Sequence, residues 1–217
     1  FEPILSDSFV TTPSCSFYVK EVGCLGALVI TASHNPYNWL GLKIKSFNGC
    51  SVDESFTSEV EKRLMLGNSI EKIDGVNQLV DIKKFHLDRI KSLFDIDYIS
   101  KRLKKMKLRI FVDSMHGSAA NCMAEIFASN DLEVISEIRK DADPFFGGNP
   151  PEPLLNYADN LKQILMKNST NEVKTLGIIF DGDGDRIAAI DEKGRYSSTQ
   201  DLLPYFISYL GEIKNNS

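Results

Sequence analysis

The chain has no run of 18 apolar residues, no C-x-x-C pair and no excess of positive charge, and each absence closes off a class of function. Without a long apolar run, no segment suits a membrane-spanning helix. The opening residues Phe1-Glu2-Pro3-Ile4 carry neither a basic segment nor an apolar core of the kind that directs secretion. Cys15, Cys24, Cys50 and Cys122 are scattered through 217 residues, which reads as reduced thiols and a cytoplasmic location. Lysine and arginine number 25 against 30 acidic residues, and the net charge of −5 gives no general attraction to nucleic acid or anionic membranes. What is there is ordinary globular material, 42% hydrophobic and 25% charged. The length admits one large domain or two small ones.

Two stretches hold the chemistry, and each follows an apolar run. Residues 26–30 read as a strand with the near-continuous hydrophobicity of a buried parallel sheet. The run breaks at Thr31-Ala32-Ser33-His34-Asn35-Pro36, where the proline biases Asn35 away from helical angles and leaves Ser33 on a tight loop. By itself this also fits a plain Ser/Asn turn. The second stretch, Asp181-Gly182-Asp183-Gly184-Asp185-Arg186, follows an apolar run at 176–180. Three carboxylates at spacing two can face one way, and an all-oxygen set suits a hard cation such as Mg²⁺. An EF-hand calcium loop begins similarly, and Glu192 falls at its twelfth position. However, Arg186 stands where that loop needs glycine, and a strand precedes it where a helix belongs. A solvated acidic turn is the other reading of the motif alone.

Between and around these loops the chain reads as alternating strands and helices. Thr12 and Pro13 suit a helix cap and first turn, and 41–45 alternates apolar and basic residues as a half-exposed strand. Residues 53–66 read as a helix with Phe56, Val60 and Leu64 on its apolar face. Residues 67–80 read as a linker, and 85–103 as one long amphipathic pattern. The basic run 101–107 reads as a solvated helix face. Strands at 108–112, 132–135 and 176–180 then alternate with helices at 119–128, 154–166 and 202–210. Such alternation implies right-handed crossovers and a parallel sheet covered on both faces. Functional loops are expected beyond the carboxyl ends of its strands.

In sequence order, T-A-S-H-N-P at 31–36, Val112-Asp113-Ser114-Met115-His116-Gly117, the run 143–153 and D-G-D-G-D-R at 181–186 resemble the alpha-D-phosphohexomutase family. That family includes phosphoglucomutases and phosphomannomutases, and the resemblance covers essentially the whole chain. It implies an α/β fold of mixed, mostly parallel sheets flanked by helices, in two consecutive α/β/α domains. These are the latter part of a first domain at 1–80, bearing the phosphoserine loop, and a second at 81–217, bearing the metal loop. It implies a Mg²⁺-dependent intramolecular phosphotransferase that interconverts hexose 1-phosphate and hexose 6-phosphate through phosphorylated Ser33. A hexose 1,6-bisphosphate is the intermediate and activator.

Under the resemblance Asp181, Asp183, Asp185 and the phosphate on Ser33 hold the metal, Lys43 is the general acid/base, His34 orients Ser33 and Arg186 grips phosphate. His116 is expected to be structural or to make an inter-domain contact. Leu40 stands where the family pattern has asparagine ahead of Lys43. The start of the first domain and the third and fourth domains have no counterpart. The chain is therefore expected to be a fragment without turnover of its own. A bisphosphate synthase, an amino-sugar phosphate mutase and a non-catalytic magnesium- or phosphate-binding module are the alternatives.

Overall fold

A computed structural model describes residues 2–67, 78–127 and 134–213. The first part contains β1 (Ile4–Ser6), α1 (Thr12–Val22), β2 (Gly26–Ile30), β3 (Leu42–Ser46), α2 (Glu54–Met65) and β4 (Gln78–Val80). Strand β1 pairs parallel with β4, and β2 pairs antiparallel with β3 in a register that sets Val29 opposite Lys43. The expectation of a buried parallel strand at 26–30 is corrected here. Side chains alternate across a strand; Leu28 and Ile30 are 67% and 75% exposed, while Ala27 and Val29 are half-buried. A run of apolar residues reports composition, and only its neighbours decide which face is covered.

Three further boundaries move. The cap of α1 is Thr11, whose Oγ1 accepts from the Ser14 backbone N–H at 3.2 Å, and Thr12 is already helical. Asp53 caps α2 through the Phe56 N–H at 2.9 Å, yet the helix buries none of its residues; Leu64 is 75% exposed. Residues 68–77 of the expected linker lie outside the described residues, and its last three form β4.

The second part contains α3 (Ile82–Leu93), α4 (Ile96–Lys105), β5 (Leu108–Asp113), α5 (Cys122–Phe127), β6 (Ile135–Ile138), α6 (Asp159–Asn168), β7 (Lys174–Phe180), β8 (Ile187–Asp191), β9 (Tyr196–Ser197) and α7 (Thr199–Ser208). The pattern expected as one helix at 85–103 is two. Asp95 breaks the run and caps α4 through the Tyr98 N–H at 2.8 Å. Four of the expected boundaries shift. The strand expected at 132–135 is β6, with residues 132 and 133 outside the described set, as is Ala128 of the expected helix 119–128. The helix expected at 154–166 begins at Asp159 after a short 3₁₀ turn (Leu155–Tyr157), and that at 202–210 begins at Thr199.

The five-stranded sheet runs β6-β5-β7-β8-β9. Pairs β6–β5 and β5–β7 are parallel, whereas β7–β8 and β8–β9 are antiparallel, so the sheet is mixed. Strand period places Ile110 and Val112 on one face with Leu87, Leu103 and Ile126 of α3, α4 and α5. Phe111 and Ile179 face the other way, onto Leu161 and Leu165 of α6. Helix α3 also reaches back to α1, where Tyr18 meets Phe85 edge-on at 5.1 Å between ring centres. Among the described residues no helix is long and apolar enough to cross a membrane. The loops after β5 and β7 both emerge at the carboxyl ends of parallel neighbours, as open α/β sheets place their sites.

Candidate active site

Ser33 begins one side of the site. After β2 the chain turns at Thr31, whose Oγ1 accepts from the Ser33 N–H at 2.8 Å, and Asn35 closes the loop onto the Ala32 carbonyl through N–H at 3.0 Å and Nδ2 at 2.9 Å. Ser33 is held at φ 56°, in the left-handed region. A non-glycine residue pays on the order of 1–3 kcal/mol there and stays only where its surroundings over-determine it.

The other side is the loop between β7 and β8. Asp181 binds its own loop: Oδ1 accepts from the N–H groups of Asp185 and Arg186 at 3.0 and 3.1 Å. The two loops meet where Ser33 Oγ donates to Asp181 Oδ2 at 3.2 Å, a contact between residues 148 apart in sequence. Gly182 is what lets them close. A Cβ there would sit 2.4 Å from the Ser33 carbonyl oxygen and 2.9 Å from Pro151 Cγ. Its N–H donates to the Pro151 carbonyl at 3.1 Å, and its own carbonyl accepts from the Ser118 N–H at 2.9 Å. Gly117 packs on the far side, where a Cβ would lie 2.6 Å from the Gly182 oxygen. This gives structural roles to two of the motifs: 112–117 supports the acidic loop from behind, and 143–153 straps it to the serine loop.

Ligand atoms of Asp181, Asp183 and Asp185 lie within 4.8 Å of one another. Asp181 and Asp183 are buried and Asp185 is exposed. Lys43, placed by its register in β3, donates from Nζ at 2.6 Å to Asp183 Oδ2 and at 2.6 Å to Asp185 Oδ2. Thr12 Oγ1 donates to the same Asp183 oxygen at 2.6 Å, which leaves Asp183 Oδ1 buried and without a partner among the described residues.

These contacts set the charges. Burial, aided by the neighbouring carboxylates and opposed by the Arg186 N–H, pushes Asp181 up to about 7. Burial also opposes ionisation of Asp183, but hydrogen bonds from Lys43 and Thr12 hold it below the usual carboxylate range. Lys43 is half-buried, which works against its charge, yet the two carboxylates hold it above the ordinary lysine value, as an ammonium.

The remaining expected residues fall around this centre. His34 Nδ1 is 3.5 Å from Ser33 Oγ, and its Nε2 is 4.0 Å from Glu152 Oε1. Arg186 is exposed and contributes its backbone N–H to Asp181. Among the described residues His116 makes no hydrogen bond to the three carboxylates. Its Nδ1 donates to the Asp141 carbonyl at 2.8 Å and its ring flanks Gly147 of the strap. Tyr37, beyond the serine loop, meets Phe145 of the same strap edge-on at 5.0 Å. Thr12, Gly117, Pro151 and Glu152 are the site residues the sequence reading does not single out. Their contribution comes from long-range packing; the sequence marked Thr12 as a polar residue beside a helix-starting proline, and placed Gly117, Pro151 and Glu152 within the two motifs at 112–117 and 143–153 without giving them a role.

Comparison with known proteins shows the family and the fold. The model of phosphoglucomutase/phosphomannomutase alpha/beta/alpha domain I matches residues 1–69, and that of domain II matches residues 84–194. A phosphoglucosamine mutase of Methanococcus vannielii is 31% identical over 216 residues, covering 95% of this chain and 45% of that protein. One from Campylobacter jejuni is 29% identical over 212 residues, covering 93% and 44%. The chain thus spans less than half the length of these relatives. Among solved structures, a phosphoglucomutase/phosphomannomutase family protein from Burkholderia thailandensis shares the fold with a TM-score of 0.72 at 22% identity, covering 95% of this chain and 43% of that one. With both domain models matched in sequence order, the chain belongs to the phosphoglucomutase/phosphomannomutase family.

Proposed function

We propose that the intact protein carrying this chain is a phosphohexomutase that moves a phosphoryl group between the 1- and 6-positions of a hexose by way of Ser33. The carrying observation is the approach of Ser33 Oγ to Asp181 at 3.2 Å, inside a cluster of three carboxylates. The cluster fits a hard divalent cation, because its donors are all oxygen and Asp183 Oδ1 is buried with no partner. Asp181, Asp183 and Asp185, with an oxygen of phosphorylated Ser33, would hold Mg²⁺. When bound, the ion neutralises charge on the phosphoryl group and makes the serine oxygen a better leaving group.

The chain's own residues account for the rest. The bond from Ser33 Oγ to phosphorus breaks as a substrate hydroxyl oxygen bonds to phosphorus, so the hydroxyl loses a proton and Ser33 gains one. Lys43, held as an ammonium by Asp183 and Asp185, is the general acid/base in this reading: it gives its proton to Ser33 Oγ and takes back the one the substrate hydroxyl releases. His34 orients Ser33, and exposed Arg186 is free to fork onto substrate phosphate. Hexose 1,6-bisphosphate loads Ser33, and the mechanism is positioning and charge stabilisation more than covalent chemistry by the protein.

The chain is read as two α/β/α units, 1–80 and 81–217, with the serine loop on one and the acidic loop on the other. Four free cysteines support a cytoplasmic setting. A second reading, favoured by relatives named phosphoglucosamine mutases, makes the sugar an amino sugar. The test is turnover of glucosamine, glucose and mannose phosphates by the intact protein with Mg²⁺ and catalytic bisphosphate, beside mass analysis of Ser33. Phosphate on Ser33 and loss of turnover in Ser33→Ala are expected. Undiminished turnover in Ser33→Ala, or phosphate on another residue, overturns the assignment.

A further inference from the structure

We propose that Thr12 is a positioning residue for the acidic loop, fixing the Asp183 carboxylate so that Oδ1 is the oxygen presented to the cation. This rests on the reading of the loop as a divalent-cation site. Thr12 lies 171 residues upstream of Asp183 and is 3% exposed. It grips Asp183 at both ends. The backbone N–H of Thr12 donates to the Asp183 carbonyl at 2.8 Å, and the hydroxyl donates to Oδ2 at 2.6 Å.

Helix geometry explains the first contact, because N–H groups of a first turn have no acceptor within their own helix. The second decides which way the carboxylate turns. Lys43 takes the same Oδ2 at 2.6 Å, so that oxygen is doubly engaged. Oδ1 is then left buried with no partner among the described residues. An unpaired buried oxygen carries a desolvation penalty, and a cation is the group that would relieve it. The cap residue Thr11 closes the same seam, since a Cβ on Gly184 would lie 2.7 Å from Thr11 Cγ2. The start of α1 therefore acts as a template against which the acidic loop sets.

Mn²⁺ titration of the intact protein, followed by electron paramagnetic resonance, tests this alongside unfolding midpoints in chelator. Thr12→Val keeps the side-chain shape and removes the donor; Thr12→Ala serves where Thr12→Val does not fold. Partners beyond the ligands typically govern affinity by about tenfold to a hundredfold, and a loss of that size is expected, with Thr12→Ser restored to within about threefold. Thr175→Val is the control. It removes the 3.1 Å bond from buried Thr175 Oγ1 to the Leu165 carbonyl, which touches neither Asp183 nor the start of α1, so it should lower the unfolding midpoint without moving Mn²⁺ affinity. Wild-type affinity in the Thr12 variants, with binding abolished in Asp183→Asn, overturns the role of Thr12 and leaves the cation reading standing. Absence of saturable Mn²⁺ binding by the unaltered protein overturns the cation reading and this proposal with it.

Discussion

Gly182 and Ser33 meet backbone to backbone: a Cβ on Gly182 would stand 2.4 Å from the Ser33 carbonyl oxygen, a gap no side chain can enter. The acidic loop and the serine loop are packed through that point, and Pro151 bears on the same glycine from the strap. Gly182→Ala should therefore push the loops apart. Overpacking of this kind costs about 1–3 kcal/mol. We expect a lower unfolding midpoint and slower phosphate uptake by Ser33, read by calorimetry and intact mass. An alanine variant with wild-type values in both would show that the seam opens freely.

Lys43 bridges Asp183 and Asp185 while held as an ammonium. Removing a proton-transfer group typically slows turnover about 10²–10⁴-fold, and Lys43→Met should do so. Arginine keeps the charge but does not give up its proton, so Lys43→Arg should not rescue the rate. Recovery of turnover by arginine would reassign Lys43 to charge neutralisation alone.

His86 is a pH sensor of stability in waiting. Burial lowers its pKa below the ordinary histidine value, and Ser14 Oγ lies 2.7 Å from its Nδ1, with the Phe17 ring at 5.2 Å. Because the unfolded chain takes up this proton at higher pH than the folded one, stability should fall as pH drops from about 6.5 through the folded value. Urea unfolding between pH 7.5 and 5, compared with His86→Gln, isolates the term. An equal slope in the variant would assign the pH dependence elsewhere.

Asp113 at the end of β5 has a side chain with no exposure, paired bidentately with Arg139 at 2.8 Å through Nε and 2.5 Å through Nη2. Arg139 also donates to the Tyr157 carbonyl at 3.0 Å, tying the loop after β6 to the turn before α6. Breaking one side of a buried pair costs about 3–5 kcal/mol, which is the loss expected for Arg139→Met in urea unfolding. The double change Asp113→Leu with Arg139→Met should recover most of it. Failure of the single change to destabilise would mean that water reaches Asp113.

How much of this the sequence displayed depends on range. The serine and acidic loops were legible because each is a short run of distinctive residues directly after an apolar strand. Lys43 was legible only through the family resemblance, since the alternation at 41–45 shows a half-exposed strand and makes its lysines ordinary ones. Thr12 was read as a cap because Thr11 and Thr12 offer the same hydroxyl beside Pro13, and only the fold shows which one faces Asp183. Strands β8 and β9 went unread since Ile187-Ala188-Ala189-Ile190 lacks the bulk of its neighbours, and their antiparallel pairing follows from a tight acidic turn in place of a helix. The exposure of Leu28 and Ile30 was hidden for a related reason: local hydrophobicity says that a strand exists and nothing about what lies over it.

The 148-residue separation of Ser33 and Asp181 also sets a clock. At about 5–20 residues per second, a ribosome needs roughly 7–30 s between adding one and adding the other. At the start of that interval the serine loop has been made while the glycine it packs against, the threonine hydroxyl's acidic partner and the strap at Pro151 are still to come, the strap arriving first. The site is thus assembled only after the acidic loop has been made, and the serine loop waits through the interval for the partners that hold it.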